Sequence, residues 1–518
     1  MDTALPLIAT AAMVAVALAG PARMRPWAML PALLLTPVLL LAHIWDSGQV
    51  EALRGRPALA AAAAVGALAA VSALAALFVS RPRLLPIAVA IVLPFRIPIE
   101  LGGATANLLV PLYLVIAAGT ISYLLTALRP GEVDAAVDVN YSSQDMASRD
   151  AMEARSGHST RVVRALELTL AAAVLLYAVQ ASYSSDFDRA LENVLFFYVP
   201  FSLLFILILR IDWSPRLATA CLVALTALAV VFAGVGFYEY ATRELLLNPK
   251  VVAANQFQSY FRVNSLFFDP NIYGRFLVIV MLGLAAVLIS SRRAWGIAVS
   301  AALLTMLWAG LLLTFSQSSF AALLAGLATL AALRWSPIWT ARAVVAALAV
   351  GAAVVLAAPS ALHLDLGSSR SLDSASSGRW ELVRGAAELI ADEPVTGWGS
   401  GSFSTEYREL HEASSEKAVS ASHTIPLTIA AEQGMAGLAV YVLLLVLALR
   451  LLFAGARGSP SRGLLAAGFV ALVVHTMSYA AFLEDPLTWA LLAAGVAFSA
   501  VPRPATQAAV VEPAPAAV

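Results

Sequence analysis

What most constrains this chain is the recurrence, from end to end, of apolar runs near the ~20 residues a helix needs to cross a bilayer. PALAAAAAVGALAAVSALAALFVS from Pro57 and MAGLAVYVLLLVLALRLLFAG from Met435 are two of them. Lipid offers no water to backbone N–H and C=O groups, so runs of this length are committed to helix. Composition agrees. Of 518 residues, 61% are hydrophobic and 12% charged, with mean hydropathy +0.84, where a soluble globular chain carries roughly 25% charged residues. The reading is an all-α, polytopic transmembrane helical bundle of about 12–15 spans. Transmembrane helices are expected over 1–128, 165–360 and 423–501.

The first twenty residues are apolar but lack a basic leader, and Asp2 follows Met1, so a first span is expected there rather than a cleaved signal. With 32 basic and 32 acidic residues and no basic stripe, nothing points to a nucleic-acid partner. The single cysteine, Cys221, lies in the apolar run LATACLVALTALAVVFAG and reads as a small core residue, with no disulfide framework or thiolate metal site.

Short cytoplasmic loops collect Lys and Arg. Arg210 with Arg216, Arg292 with Arg293, Arg334 with Arg342, and Arg450, Arg457 with Arg462 fall in alternate connections, which are therefore expected inside. Parity adds the polar insert 129–164, whose low hydrophobicity reads as a disordered loop. The connections at 183–191, 242–271 and 361–422, and the pair Glu484 and Asp485, then face outward. The outer loop 361–422 holds 10 acidic and 5 basic side chains, a balance free of the inside bias. The tail 502–518 reads as a flexible end.

The two long outer connections carry the unusual residues. FRVNSLFFDPNIYGRF, residues 261–276, sets Arg262, Asn264, Asp269, Asn271 and Arg275 between apolar runs. Asp269 and Pro270 suit a helix start, as N-cap and first helical residue. Arg262, just ahead of a helix whose free N–H groups favour anions, is suited to hold a phosphate. Within the loop, GRWELVRGAAELIAD places apolar residues in a helical stripe, read as an amphipathic segment lying on the membrane surface with Arg379 at its start. GWGSGSF, Gly397–Phe403, is a glycine-spaced turn whose amides could approach a ligand. His423 ends the loop, and a helix is expected from Thr424 or Pro426.

Taken in order, these motifs resemble the O-antigen ligase family of bacterial surface-polysaccharide ligases and polymerases. The resemblance rests on Arg262 with Phe268-Asp269-Pro270-Asn271, the joint Thr314-Phe315-Ser316-Gln317, Gly378-Arg379-Trp380, Pro394 with Gly397–Phe403, and His423-Thr424 separated by nine residues from Gly434. It spans roughly residues 85 to 500. Many relatives carry Arg where this chain has Gln317.

The resemblance implies an integral-membrane, GT-C-like glycosyltransferase in the bacterial cytoplasmic membrane, with a large, partly helical outer loop and its active site on the outer face. It implies a polyprenyl-diphosphate-linked glycan donor, such as an undecaprenyl diphosphate, and a lipid or glycan acceptor hydroxyl, with no metal or other cofactor. Arg262 and Arg379 would clamp the diphosphate and His423 would serve as general base. Asn271, Trp398, Tyr407 and Glu432 would line the substrate site. A repeat-unit polymerase of the same family remains open. So does a transporter or flippase of lipid-linked glycans, although a translocation path should place charge through the membrane depth, and mid-span charges are scarce. Nucleotide-hydrolysis and zinc-protease motifs are absent, so any reaction draws its energy from the substrate.

Overall fold

The computed structural model describes residues 3–45, 50–51, 54–95, 97–101, 104–128, 146–246, 261–357, 379–411, 424–479 and 481–500. His423, the loop segments 361–378 and 412–422 and the tail 502–518 lie outside them, as do the side chains of Arg379 and Trp380.

The helices, in chain order, are α1 (Ala4–Ala19), α2 (Arg25–His43), α3 (Pro57–Ser80), α4 (Leu84–Val92), α5 (Val110–Ala127), α6 (Met146–Ala181), α7 (Phe187–Asn193), α8 (Val199–Leu209), α9 (Pro215–Thr242) and α10 (Pro270–Ser290). They continue as α11 (Ala294–Thr314), α12 (Gln317–Arg334), α13 (Pro337–Ala357), α14 (Arg379–Asp392), α15 (Phe403–Leu410), α16 (Ile425–Phe453), α17 (Pro460–Thr476) and α18 (Pro486–Ala500). Ten helical segments among the described residues are long and apolar enough to cross a membrane, and three shorter apolar helices accompany them. The all-α, polytopic expectation therefore holds. One local addition is an antiparallel hairpin of β1 (Ile97–Leu101) and β2 (Ala104–Leu108), with Ile97 opposite Leu108 and Leu101 opposite Ala104.

The spans begin where the sequence places caps. Ser214, Asp269, Ser316 and Ser459 each accept a backbone N–H of the first turn, and three of them precede a proline whose missing N–H costs nothing at that position. The insert 129–164 departs from its expected disorder from Met146 onward, where it forms the first part of α6. Residues 129–145 lie outside the description.

Two large apolar clusters form the core. One joins α1, α2, α5, α6, α8, α16 and α18, and the other joins α9 to α12. Helix α17 serves both, giving Ala466 and Phe469 to the first and Ala467 and Ala471 to the second. This arrangement gathers the ends of α6, α9, α11 and α17 and the starts of α7, α10, α12, α16 and α18 at one face of the bundle.

Candidate functional site

The polar residues of 261–276 knit helix ends together. The Arg262 guanidinium donates through Nε to the Thr314 carbonyl at the end of α11, at 2.9 Å, and through Nη2 to Asn271 Oδ1, at 3.3 Å. Asn271 Oδ1 also accepts the Ser316 hydroxyl at 2.7 Å, and Ser316 contacts Ser318 and Ser319 at the start of α12. Ser318 Oγ lies 3.2 Å from His475 Nε2 on α17. The turn before α10 is held from below by Glu239 of α9, which accepts Ser265 N at 2.8 Å and Leu246 N at 3.2 Å. Burial pushes the Asp269 carboxyl above its usual range, against the opposing pull of the Asn271 amide and Arg262.

A second assembly surrounds the start of α16. That helix is broken at Gly434, whose φ of 62° and ψ of −164° interrupt the helical ladder. The glycine-spaced turn packs its backbone into the break. Trp398 N donates to Ala431 O at 3.1 Å, Gly399 N to Glu432 O at 2.8 Å, and Met435 N to Pro394 O at 2.9 Å. The buried Glu432 carboxylate accepts Gly401 N at 2.9 Å and Phe403 N at 3.3 Å. Gln180 at the end of α6 donates to the carbonyls of Thr396 and Gln433, and Ser184 donates to Ser400 O at 2.8 Å. The turn's amides thus serve this latch, where the sequence had offered them to a ligand.

Helix α14 covers the predicted amphipathic segment. Its stripe of Leu382, Ala386 and Leu389 is buried against Phe403, Tyr407 and Ala431 of α15 and α16, so the apolar face meets protein rather than lipid. Tyr407 stacks on Phe403, and the Trp398 indole donates to Leu389 O at 3.0 Å. Arg379 is the first residue of this helix.

The short connection 477–485 touches both assemblies. On one side, Asp485 forms a buried ion pair with Arg275 of α10, four residues beyond Asn271. On the other, Thr424 donates to Met477 O at 3.2 Å, and Phe482, Leu483 and Glu484 line a crevice shared with Glu432, Tyr177 and Tyr198. The structure therefore brings Arg262 to Asn271, and sets Trp398 and Tyr407 in one apolar cluster with Phe403 and Ala431, the latter next to Glu432 in the chain. Gln317 is exposed at the first position of α12. Sequence reading left Arg275, His475 and Glu239 without roles. The available signal was a charged or imidazole side chain within an otherwise apolar span, where it is costly unless partnered.

Residues 301–442, just over a quarter of the chain, match the family model described as O-antigen ligase, which supports the family that the motifs resemble. The match includes Thr314–Gln317, Arg379, Trp398, Tyr407, His423 and Glu432, and begins after Arg262 and Asn271. No curated protein matches the chain.

Proposed function

Taking as premise an O-antigen ligase domain at residues 301–442 in a multi-pass membrane protein, we propose that this chain is a polysaccharide ligase. It moves a glycan from a polyprenyl-diphosphate donor to an acceptor hydroxyl at the outer face of the cytoplasmic membrane. One observation carries the reading. The arginine-bearing turn before α10, the latch at Glu432 and the start of α16 meet at one end of the bundle, bridged by residues 477–485. A lipid-linked diphosphate has its charge where its tail ends, so its binding groups belong at the edge of the apolar slab.

In this reading Arg262 and Arg379 hold the diphosphate. The two bonds that fix the Arg262 guanidinium support a pre-oriented cation, which loses little freedom when an anion arrives. The bond between the anomeric carbon and the phosphate oxygen breaks, its electron pair leaving with the lipid diphosphate. The acceptor oxygen bonds to that carbon and gives its proton to neutral His423. The growing negative charge on the leaving group is what the arginines stabilise, so their effect falls on the transition state. Asn271, Trp398, Tyr407 and Glu432 shape the surroundings, and no metal or cofactor takes part.

The test uses purified protein, stripped with chelator, and a lipid-diphosphate sugar with a hydroxyl acceptor. Release of lipid diphosphate with transfer of the sugar is expected, and transbilayer movement of intact donor without cleavage would establish the transporter instead. Arg379→Lys should abolish release, because an ammonium cannot reproduce a forked contact. The polymerase alternative is separated in cells lacking the gene. Lipid-linked long chains accumulate if a ligase is lost, and short chains if a polymerase is lost.

A further inference from the structure

The opposite end of the bundle carries a feature that glycosyl transfer does not use. Arg292, Arg334 and Arg457 line one open crevice of about 280 Å³. They come from three separate places: the connection after α10, the last residue of α12, and the connection between α16 and α17. No carboxylate lines the crevice, and none of the three forms an ion pair among the described residues.

Retention of positive charge on the inner side explains why arginines lie at this end. It does not explain three converging on one gap. Three other arginines of the arginine-rich connections are engaged. Arg210 donates to the Tyr123 hydroxyl at 3.0 Å and lies over its ring, Arg342 lies over Trp339, and Arg462 donates to the carbonyls of Phe498 and Ala454.

The gap exists because small residues meet there. A Cβ added at Gly463 would find Ala456 O at 3.5 Å and the Leu333 side chain at 3.8 Å, ordinary contact distances with room beyond. Ile289 and Leu330, about a turn inward from Arg292 and Arg334, and Leu333 give the lining an apolar part beside Ser290 and Ser459. Trp295, Trp335 and Trp339, at the ends of the adjoining helices, are 79%, 70% and 67% exposed. Exposed tryptophans at span ends mark the headgroup level of a bilayer. A cationic rim over an apolar wall at that depth matches an anionic phospholipid better than a soluble ion, which would leave the wall uncovered.

We propose that this crevice binds the phosphate headgroup of an anionic glycerophospholipid, with the first part of an acyl chain against Leu330 and Leu333. The proposal stands on the bundle spanning a bilayer and is independent of the glycosyl-transfer reading.

The experiment is native mass spectrometry of the full chain in detergent, titrated with short-chain phosphatidylglycerol, with phosphatidylcholine, or with inorganic phosphate as competitor. One saturable phosphatidylglycerol adduct is expected, favoured over phosphatidylcholine. The triple variant Arg292→Gln, Arg334→Gln, Arg457→Gln should weaken it by about a hundredfold, given the worth of each arginine at an anionic surface. Gly463→Leu fills the gap while keeping every charge, and should also remove the adduct, which guards against a triple variant that fails to fold. Arg210→Gln with Arg342→Gln should leave it unchanged. Undiminished binding in Gly463→Leu, or equal loss in the Arg210 and Arg342 control, would overturn the site. Displacement of the lipid by equimolar inorganic phosphate would assign it to a soluble phosphate.

Discussion

At His423 the proposed chemistry can be separated from binding, because the arginines and not the imidazole are assigned the donor's affinity. His423→Gln is expected to reduce turnover by about 100- to 10,000-fold, the usual worth of general acid-base catalysis, with donor binding nearly unchanged. Turnover and donor binding measured on the same preparation decide it, and near-normal turnover removes the base role. A different kind of residue is Asp485. Its carboxylate is the buried counter-ion of Arg275 and also accepts Leu487 N at 2.9 Å. Asp485→Ala leaves a guanidinium uncompensated in the bundle, at a cost of about 3–5 kcal/mol. Arg275→Met combined with Asp485→Leu should recover most of that loss, since a buried pair replaced on both sides leaves no lone charge. Thermal unfolding in detergent measures both. Equal destabilisation of the single and double variants would show that the pairing is not what matters.

Among the elements, the most demanding is the turn from Gly397 to Phe403, whose glycine spacing was visible in the sequence and whose purpose was not. Gly399 has a φ of +96°, and a Cβ there would fall on the Ser184 backbone. Gly399→Ala is expected to lower stability by about 2 kcal/mol or more, combining a left-handed conformation with a backbone clash. Because the turn fills the break in α16, loss of activity should accompany the drop in unfolding temperature. An unchanged unfolding temperature would mean that the turn moves away from the connection between α6 and α7 at little cost. Helix α14 teaches a related point. Its boundaries and apolar stripe follow from residue spacing alone, but an amphipathic stripe fits a membrane surface and a protein groove equally well. Only the presence of Phe403, Tyr407 and Ala431 opposite it distinguishes the two.

For the whole molecule, the sidedness of the bundle is the property on which the site depends. Val395, two residues before the glycine turn, is 69% exposed at the candidate-site end, and Trp335 is 70% exposed at the arginine-rich end, whereas Ser400 within the turn is buried and would resist labelling. With the native thiol removed by Cys221→Ala, a cysteine at Val395 should react with an impermeant maleimide in intact cells from which any outer envelope has been stripped. One at Trp335 should react only after the cytoplasmic membrane is opened. The reverse pattern would invert the topology and place the site in the cytoplasm.

Long apolar runs, caps followed by proline and the segregation of arginines determined, from sequence alone, that the chain reads as a helical membrane bundle with two populated loops on one side. These are local or additive properties, set by backbone desolvation and by charge per loop, and they need no knowledge of which helix touches which. The partners of the polar residues are different. Arg262 meets Thr314 across 52 positions and Gln180 meets Gln433 across 253, while Arg275 finds Asp485 through the packing of α10 beside α17. A buried polar group must be satisfied by whatever the fold brings within 3 Å or so. That choice belongs to helix packing, so only the tertiary structure decided that the glycine turn closes on Glu432 and that the connection between α17 and α18 touches both halves of the candidate site.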